Sequence, residues 1–467
     1  MASNILFAFS NIGSFRLHAT IALRSQQDGN RAVLLYTGSR DATFSVIEAE
    51  AGSRGLAVRA MEEAVIEAAG TEWMPPRSLS PRRMLLKLVA KRRASVLFDI
   101  QQAAVLAAGR LLRHLKPDAI LVSEDGISGP MALLAAARLQ RIPVIDIPYG
   151  CADREDFEKD LDRKAAADDL KVASGSNGTL IRLLCPEWIK TGKRAGALMF
   201  SPEFTLASAA AGIELRNAWI VHGGNSVRVC AQSEKLRAQY AAEGIAADKL
   251  VLTGTPYCDD MIDGLRADKQ ASEALLKARH IQPGRLKLLV SWPPSYHEGM
   301  PETSEFATYE GMTREVLGYL NALPGVELTL SVHPAAGPGI LSVLDELGIE
   351  PTSEHVVRLL ARHDVIIPYY STTTHWALAA GKVVANYDAY KLGLTQFDSA
   401  PGFLNTNSFE TLKQLLGHLS DPEEYAKIAA RQASDAHRWG ILDGECTARA
   451  LAESYRAISM RQQTSSL

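Results

Sequence analysis

KPDAILVSEDGISGPMALLAAARLQRIPVIDIPYG, residues 116–150, is the stretch from which the fold can be built outward. An apolar run at 119–122 predicts a buried strand, and the Ala- and Leu-rich segment that begins with Pro130 predicts a helix. A second apolar run at 142–147 predicts the next strand. A strand–helix–strand unit of this kind is a parallel crossover, and its strands are buried on both faces.

Glu124, Asp125 and Gly126 directly follow the first of these strands. Ligands bind beyond the carboxyl ends of strands in parallel sheets, so these three residues are candidate site residues. Two carboxylates before a glycine also open ordinary turns, and that alternative stays open at this point.

Length and composition indicate a globular protein of two domains. The chain has 467 residues, of which 47% are hydrophobic and 22% charged. This length is too great for one ordinary core. A net charge of −3 does not favour nucleic acid as a partner. We also expect a cytoplasmic protein, since we predict no signal peptide and no membrane span.

The cysteines are scattered and odd in number, which favours a reducing compartment. They are Cys151, Cys185, Cys230, Cys258 and Cys446. They form no metal pattern. Asp160-Leu161-Asp162 has the D-x-D form of metal-dependent sugar transferases, but an alternating charge run surrounds it and predicts a solvated helix face. We therefore predict no metal and no bound cofactor.

Alternating strands and helices predict the fold class α/β, with two doubly wound Rossmann-like domains. We predict a first domain at 1–258, a second at 259–450 that opens with a polar linker, and a C-terminal helix and polar tail at 451–467. Strands of the first domain are predicted at 4–9, 32–36, 119–122, 142–147, 228–231 and 249–253. Strands of the second domain are predicted at 286–291, 326–332, 365–367 and 383–386. The strand at 383–386 is predicted to be the last. Segments 43–53 and 57–68 predict helical or mixed structure.

The first predicted strand runs into a tight loop that contains Asn11, Gly13 and Ser14. A strand, a glycine-containing loop and a helix in this order are common in nucleotide-binding and sugar-binding sheets. We take these three residues as candidates on the acceptor side of a cleft. His222 and His297 are placed where they can line the same cleft, whereas the other histidines, His18 included, are interpreted as helix or loop residues without partners.

Polar residues also follow the strands of the second domain. Ser291 ends its first predicted strand and Trp292 opens the loop that follows. His333 and Pro334 follow the second strand, and Ser371 to Thr374 open a helix. Hydroxyls and free N–H groups at a helix N-terminus bind phosphate, and a nearby histidine can neutralise or protonate it. Trp292 is interpreted either as a base-stacking residue or as a core or lid residue.

The segment 77–93 carries seven cationic residues and no acidic one. Cations recur along one side of the predicted helix around 82–93, and apolar residues supply another side. This pattern predicts peripheral contact with anionic lipid on the inner face of the membrane, or else the solvated face of a core helix.

The order of these motifs resembles the bacterial sialyltransferases of the two-domain GT-B type, which use CMP-activated nonulosonic acids. That group carries D/E-D/E-G, HP and Ser/Thr motifs, which read EDG at 124–126, HP at 333–334 and STTT at 371–374 here. The resemblance spans both domains and implies that they face each other across a cleft.

The resemblance also implies roles for the candidate residues. One of Glu124 and Asp125 would be the general base, and His333 would bind and protonate the CMP phosphate. Glu354, 17 residues before Ser371, would hold the nucleotide, or else it is a helix first-turn acid. The full donor-binding set predicted here is Gly126, Ser291, Trp292, Pro334, Glu354, Ser371, Thr372 and Thr373.

Two other families share parts of the sequence. DAILVSEDG, AEGIAADKLVLTGTP and HPAAG resemble the UDP-N-acetylglucosamine 2-epimerases. That family needs a glutamate where this chain has Pro148-Tyr149-Gly150, and acidic residues where it has His375-Trp376. YYSTTTHWALAAGKVVANYDAYK resembles the CDP-glycerol glycerophosphotransferases, but their W-H-G motif is missing at the same place, 148–150.

The sequence thus predicts an inverting, metal-independent glycosyltransferase. It would move a sialic, legionaminic, pseudaminic or Kdo-like acid from a CMP-activated nucleotide sugar to a glycan, a lipid-linked acceptor or a protein. The alternatives are a UDP-sugar epimerase, a transferase with another nucleotide, and a GT-B subunit that binds glycan without catalysis. The sequence leaves open the sugar, the acceptor, the linkage, the oligomeric state and the choice between Glu124 and Asp125.

Overall fold

The computed structural model describes residues 2–76, 80–151, 154–266, 285–297, 299, 303–333, 336–337 and 339–465. The chain forms two compact units. The first contains Met1–Ala231, Arg237–Thr253 and Thr447–Leu467, and the second contains Gln232–Leu236 and Gly254–Cys446.

The first unit is built on a parallel sheet of seven strands in the order β3-β2-β1-β4-β5-β6-β7. Its strands are β1 (Asn4–Phe9), β2 (Arg31–Tyr36), β3 (Val58–Ala60), β4 (Ala119–Val122), β5 (Val144–Asp146), β6 (Arg228–Ala231) and β7 (Leu250–Leu252). Every residue of β4 and β5 is buried, as expected for strands with helices on both faces. The pairing of Ala8 with Val122 and of Val122 with Asp146 brings three strand ends to one edge.

The second unit is built on a parallel sheet of five strands in the order β12-β11-β10-β8-β9. Its strands are β8 (Leu286–Trp292), β9 (Val326–Val332), β10 (Val365–Ile367), β11 (Val383–Tyr387) and β12 (Phe403–Thr406). Alternate residues of β8, such as Leu288 and Val290, lie in one apolar core with Val316 and Leu320.

The helices follow in chain order. They are α1 (Ile12–Gln27), α2 (Ala42–Ser53), α3 (Met61–Glu67), α4 (Pro81–Arg93), α5 (Ser95–Leu115), α6 (Met131–Leu139), α7 (Arg154–Ala166), α8 (Gly175–Leu184), α9 (Pro202–Ala211), α10 (Glu234–Ala242), α11 (Pro256–Arg266), α12 (Tyr309–Ala322), α13 (Gly339–Leu347), α14 (Val356–Leu359), α15 (Thr372–Ala379), α16 (Phe409–Leu419), α17 (Pro422–Asp435) and α18 (Cys446–Ser465).

The predicted α/β class, with two parallel sheets covered by helices, is confirmed. The segment 57–68, predicted as helical or mixed, contains the edge strand β3 followed by α3. The prediction that the strand at 383–386 is the last was wrong, because β12 follows it. β12 is a short edge strand, which carries little hydrophobic pattern.

The C-terminal helix α18 is part of the first unit, together with residues that precede 254. Tyr455 donates a hydrogen bond to Asp28, and Arg461 donates to the carbonyl of Pro117. The predicted linker begins inside α11, and residues 267–284 lie outside the described part of the chain.

By length and composition, α5 alone among the described helices could cross a membrane. Its buried face, which includes Phe98, Ala108 and Leu112, packs in the first unit against α6 and α9. A helix that covers the core of a folded domain meets the same criteria of length and composition.

Candidate active site

A small cavity of about 150 Å³ lies beyond the carboxyl ends of β1 and β4 in the first unit. Glu124 lines it together with Ser14, Ser123 and Tyr149. Glu124 is half-buried, and this burial raises its pKa although the nearby His222 acts in the opposite direction. A carboxylate with a raised pKa is suited to accept a proton near neutral pH.

The three residues predicted for the acceptor side form the start of α1. Asn11 caps the helix, because its Oδ1 accepts the N–H of Ser14 at 2.9 Å and its own N–H donates to Ser14 Oγ at 3.3 Å. A Cβ atom on Gly13 would lie 3.2 Å from the ring of Tyr149, so glycine allows this close approach. The structure thus brings Ser14 and Glu124 to one cavity, while Asn11 and Gly13 fix the helix start beside it.

Asp125 has a different environment from its neighbour. It is fully buried, and its carboxylate accepts the backbone N–H groups of Gly224, Asn225 and Ser226 at 3.0, 2.9 and 2.6 Å. These three hydrogen bonds hold the loop at 224–226 against the Asp125 carboxylate. Glu124 lines the cavity and Asp125 does not.

Gly126 packs against the same loop. Its N–H donates to the carbonyl of Val221 at 3.0 Å, and a Cβ atom would lie 2.6 Å from that oxygen. The predicted donor contact at Gly126 is therefore replaced by a packing requirement in the first unit.

His222 and Asp146 form a buried pair that the sequence interpretation did not connect. Nδ1 of His222 lies 2.7 Å from Oδ2 of Asp146, which ends β5. Burial raises the pKa of Asp146. For His222 burial acts to lower the pKa, but Asp146, Asp125 and Glu124 outweigh it and the pKa is raised. Asp146 was missed because it ends an apolar strand and belongs to no motif.

His18 contacts Ser123, which lines the cavity, so the prediction that His18 has no partner was wrong. Its Nε2 lies 3.1 Å from Oγ of Ser123, and the ring is fully buried near Phe7 and Phe9. Burial lowers its pKa to about 3, so the imidazole is neutral at physiological pH.

In the second unit, Ser371 precedes α15 as its N-cap residue, but its side chain makes no capping bond. Ser371 Oγ and Thr374 Oγ1 are buried atoms for which the described residues supply no hydrogen-bond partner. Thr372 is half-buried and Thr373 is buried in the same turn. Unsatisfied hydroxyls beside the free N–H groups of a helix N-terminus are suited to bind an anion.

The residue before this turn has an unusual backbone conformation. Tyr370 has a φ of 32°, in the left-handed region, and its N–H donates to Oδ1 of Asn386 at 3.2 Å. Non-glycine residues in this region are concentrated at functional sites. The sequence carries no signal for this feature.

His333 directly follows β9, as predicted, and its N–H donates to the carbonyl of Trp292. The residue is exposed, but partial burial of its ring lowers its pKa. A neutral imidazole at a strand end can donate an N–H hydrogen bond to a phosphate oxygen. Pro334 lies outside the described residues.

Trp292 is a core residue, so the base-stacking alternative was wrong. It is 3% exposed, and its indole Nε1 donates to Oγ1 of Thr313 at 3.1 Å. Ser291 is half-buried within β8, as predicted, opposite Ser331 of β9. The prediction that a loop begins at Trp292 was wrong, because β8 continues through this residue and its indole is buried.

Glu354 pairs with Arg362 at 3.4 Å, and its N–H donates to Oγ1 of Thr352. The alternative that Glu354 is a helix first-turn acid was wrong, because Glu354 lies before His355, the N-cap residue of α14. Its neighbour His355 lies 6.2 Å, between ring centroids, from Trp376 of α15.

A cluster of tyrosines beside β8 and β10 was not predicted. Tyr296 is 39% exposed, and its ring lies 5.8 Å from that of Tyr369 and 5.4 Å from that of Tyr390. The hydroxyl of Tyr369 is buried with no hydrogen-bond partner in the described ranges. An exposed ring supported from behind by two others offers a stacking surface that Trp292 does not.

Two groups of residues carry carboxylate or thiol groups of the kind that can bind a metal ion. Asp160 pairs with Arg163 and Lys164, and Asp162 pairs with Lys193 and Arg194, as the charged-face interpretation predicts. Asp259, Asp443 and Cys446 also lie close together in the second unit. Asp259, however, already accepts the N–H of Cys446 at 3.0 Å.

No protein-family model matches the sequence, and a search of curated proteins found no match. Solved structures do match. UDP-GlcNAc 2-epimerase from Neisseria meningitidis, bound to UDP-GlcNAc, is 15% identical with a TM-score of 0.50 over 97% of this chain and 99% of that one. MnaA of S. aureus with UDP is 12% identical with a TM-score of 0.51 over 98% and 97% of the two chains.

The calicheamicin glycosyltransferase CalG4 is 13% identical with a TM-score of 0.51 over 98% of each chain. Identities this low show the fold alone. The chain therefore has the two-domain GT-B type of fold that these glycosyltransferases and epimerases share.

Proposed function

We propose that this protein is a glycosyltransferase that uses a CMP-activated nonulosonic acid. The observation that carries the proposal is the start of α15, where the described residues supply no partner for the hydroxyl groups of Ser371 and Thr374, which lie beside the N–H groups of a helix N-terminus. Such an arrangement is suited to the phosphate of a nucleotide sugar. The motif order that resembles the sialyltransferases supports CMP as the nucleotide.

Glu124 is the proposed general base. In the transfer, the acceptor oxygen forms a bond to the anomeric carbon while the bond from that carbon to the phosphate oxygen breaks. The acceptor proton passes to Glu124, and the electron pair of the broken bond leaves with CMP. Attack opposite the leaving phosphate inverts the anomeric centre. The burial that raises the pKa of Glu124 favours its acceptance of this proton.

The pair of His222 and Asp146 is proposed to keep a positive charge near Glu124. His222 is fixed by the 2.7 Å contact with Asp146, and its charge opposes the rise in the pKa of Glu124. The base therefore stays ionised at the pH of the reaction but keeps enough basicity to act.

In the second unit, His333 is proposed to bind the departing phosphate and to neutralise or protonate it, because a nearby phosphate charge raises the pKa of the imidazole. Tyr296 is proposed to stack on the nucleobase, in the role that the buried Trp292 cannot take. Ser371, Thr372 and Thr373 then hold phosphate oxygens. The His333→Ala variant should lower both turnover and donor affinity, because the imidazole meets the phosphate before and during transfer.

A UDP-sugar epimerase is the second candidate. It is favoured by the match over nearly the whole chain to an epimerase bound to UDP-GlcNAc and to MnaA bound to UDP. It is disfavoured by the residues Pro148-Tyr149-Gly150 where that family needs a glutamate.

Thermal unfolding with CMP, CDP, UMP and UDP, each with and without Mn²⁺, separates the two. We expect CMP to stabilise the protein without metal, by about 2.7 kcal/mol at about 100 times its dissociation constant. Stabilisation by UDP and not by CMP would favour the epimerase, which incubation with UDP-GlcNAc then tests directly. A requirement for Mn²⁺ would contradict the metal-independent mechanism.

We also propose that α4 contacts an anionic membrane surface. Met84 and Leu88, one turn apart, are 62% and 68% exposed, and Lys87, Lys91 and Arg92 are exposed cations of the same helix. Apolar side chains flanked by cations are typical of helices at a lipid interface. Arg82 and Arg83 instead pair with Glu187 and Glu214, so only part of the predicted basic face is available.

Sedimentation with liposomes tests this contact. We expect binding to anionic vesicles at low salt that weakens as salt rises, since each cation near such a surface contributes about 1 kcal/mol. The variant Met84→Ser/Leu88→Ser should bind less, whereas Leu183→Ser, which also removes an exposed apolar side chain, serves as the control. Equal sedimentation with and without liposomes would contradict the proposal.

A further inference from the structure

A groove along α18 in the first unit shares no residue with the Glu124 cavity. One part is a cavity of about 360 Å³ between α6, the starts of β5 and β6, and α18. The other part is a wider space of about 810 Å³ beside the end of α5. Ile142 and Arg461 line both parts, so the two form one groove.

The smaller part is mostly apolar. Leu134, Val144 and Ala457 are buried and line it, while Val227 and Met460, also in its lining, are 41% and 58% exposed. A volume of about 360 Å³ falls within the range of about 300–1,000 Å³ typical of small-molecule sites. This part is suited to an apolar chain.

Cations line both parts of the groove, Arg141 the apolar part and Arg113 and Lys116 the wider part. Arg113, Lys116 and Arg141 are exposed, and their side chains pair with nothing in the described ranges. Two acidic residues line the wider part, Glu72 and Asp118, and Asp118 already accepts the N–H of Asn4 at 2.8 Å. The described lining of the apolar part contains no acidic residue at all.

Four more arginines of the groove are already held by partners. Arg138 pairs with Glu214, Arg228 and Arg456 pair with Glu453, and Arg461 donates to the carbonyl of Pro117. These four keep the wall of the groove in place and add to its positive potential.

From this combination we infer that the groove binds a single-chain lipid phosphate. The alkyl chain lies in the apolar part, and the phosphate lies near Arg461, with Arg113, Lys116 and Arg141 as its free counter-charges. A nucleotide fits less well, because the described lining offers no aromatic ring on which a base could stack. The inference does not depend on the proposed transferase activity.

Calorimetric titration of the full chain with dodecyl phosphate below its micelle concentration tests the inference. We expect one molecule per chain, and an affinity that rises about tenfold for each two methylenes from hexyl to dodecyl phosphate. Dodecyl maltoside and inorganic phosphate should each bind at least about tenfold more weakly than dodecyl phosphate, because each lacks one half of the ligand. Added salt should weaken the interaction.

Variants locate the ligand. Ala457→Phe fills the apolar part and should reduce the affinity at least about tenfold, and Met460→Glu, at an exposed position, should act in the same direction if the first variant folds poorly. Arg113→Gln should reduce the affinity about fivefold. Ser459→Phe and Arg110→Gln change exposed residues of the same two helices outside the groove and serve as matched controls.

Three results would overturn the inference. Unchanged binding by folded Ala457→Phe and Met460→Glu would place the lipid elsewhere. If dodecyl maltoside bound as tightly as dodecyl phosphate, the groove would recognise only the alkyl chain. If inorganic phosphate bound as tightly as dodecyl phosphate, the groove would recognise only the anion.

Discussion

The turn after β4 and the start of α15 are both polar strand-end segments, but their hydrogen bonding is opposite. In the first, Asp125 accepts three N–H groups and His222 is bound to Asp146. In the second, the hydroxyls of Ser371 and Thr374 are buried without partners among the described residues. Buried polar atoms in native proteins are almost always satisfied, so unsatisfied ones need an explanation.

The difference indicates two kinds of work. In the first region, both oxygens of Asp125 accept N–H groups, and these bonds fix the loop that lies beside Glu124. At the start of α15, the described residues supply no partner for two buried hydroxyls, and an external oxygen-rich anion is suited to supply one. The proposed roles, proton transfer for the first region and phosphate binding for the second, agree with this difference.

The largest expected effect comes from Glu124→Gln. Loss of a general base should lower turnover by about 10²–10⁴-fold while donor affinity stays near normal. Stability at pH 7 should be unchanged or higher, because burial that raises the pKa of Glu124 disfavours its charged form in the folded state. Initial rates with a labelled donor measure turnover, and urea unfolding measures stability. Full transfer activity in this variant would show that Glu124 is not the general base.

Asp125→Ala should have the opposite profile. It leaves the N–H groups of Gly224, Asn225 and Ser226 without their acceptor, which should lower the free energy of unfolding by about 3 kcal/mol. Urea unfolding beside Glu124→Gln provides the comparison. If Asp125→Ala were as stable as the wild type yet inactive, the roles of the two carboxylates would be reversed.

Ser371→Ala tests the second region against a matched serine. Ser371 makes no capping bond, so its loss should not change the stability of the free protein but should weaken nucleotide binding about tenfold. Ser408→Ala, at the start of α16, removes a cap bonded to Thr411 and should lower stability by about 1 kcal/mol without affecting the nucleotide. Equal nucleotide affinity of both variants would remove Ser371 from the site.

The smallest expected effect is a pH dependence of stability. Both His222 and Asp146 have a raised pKa in the folded state, so the folded protein binds more protons and their contribution is lost as pH rises through the folded values. The stability difference between wild type and Asp146→Asn/His222→Gln should therefore fall between about pH 5 and 8.

His363 of the second unit provides a control with the opposite sign. It donates to the carbonyl of Leu359, lies 2.8 Å from Thr329 Oγ1, and burial lowers its pKa. The stability lost in His363→Gln should therefore grow as pH rises through about 6.5. Urea unfolding at several pH values measures both slopes, and parallel slopes would contradict the assignment of His222.

Much of the fold could be predicted from hydrophobic runs. The bounds of β1, β4, β6, β9 and β10 agree with the prediction, because these strands are apolar runs or, in β9, an alternation of apolar and polar residues. The short edge strand β12 was missed because FLNT contains neither pattern over enough residues.

The sequence predicted which positions lie at the candidate site, but not the burial or the hydrogen-bond partners of their side chains. The sequence placed Glu124 and Asp125 at one strand end, but their separate environments depend on the loop at 222–226, about a hundred residues away. Trp292 and Tyr296 are likewise four positions apart in one segment, and only the packing of Thr313 and Tyr390 shows which of them is buried. Long-range contacts of this kind leave no local pattern.

The return of α18 to the first unit has a consequence for biosynthesis. The second unit, Gly254–Cys446, is translated between the two parts of the first. At about 5–20 residues per second, the ribosome needs about 10–40 s to make that insert, during which the seven-stranded sheet lacks its last helix. Apolar residues that α18 later covers are exposed for this interval. A nascent chain stalled before residue 446 should therefore hold chaperones on its first unit, and completion of the last helix should release them.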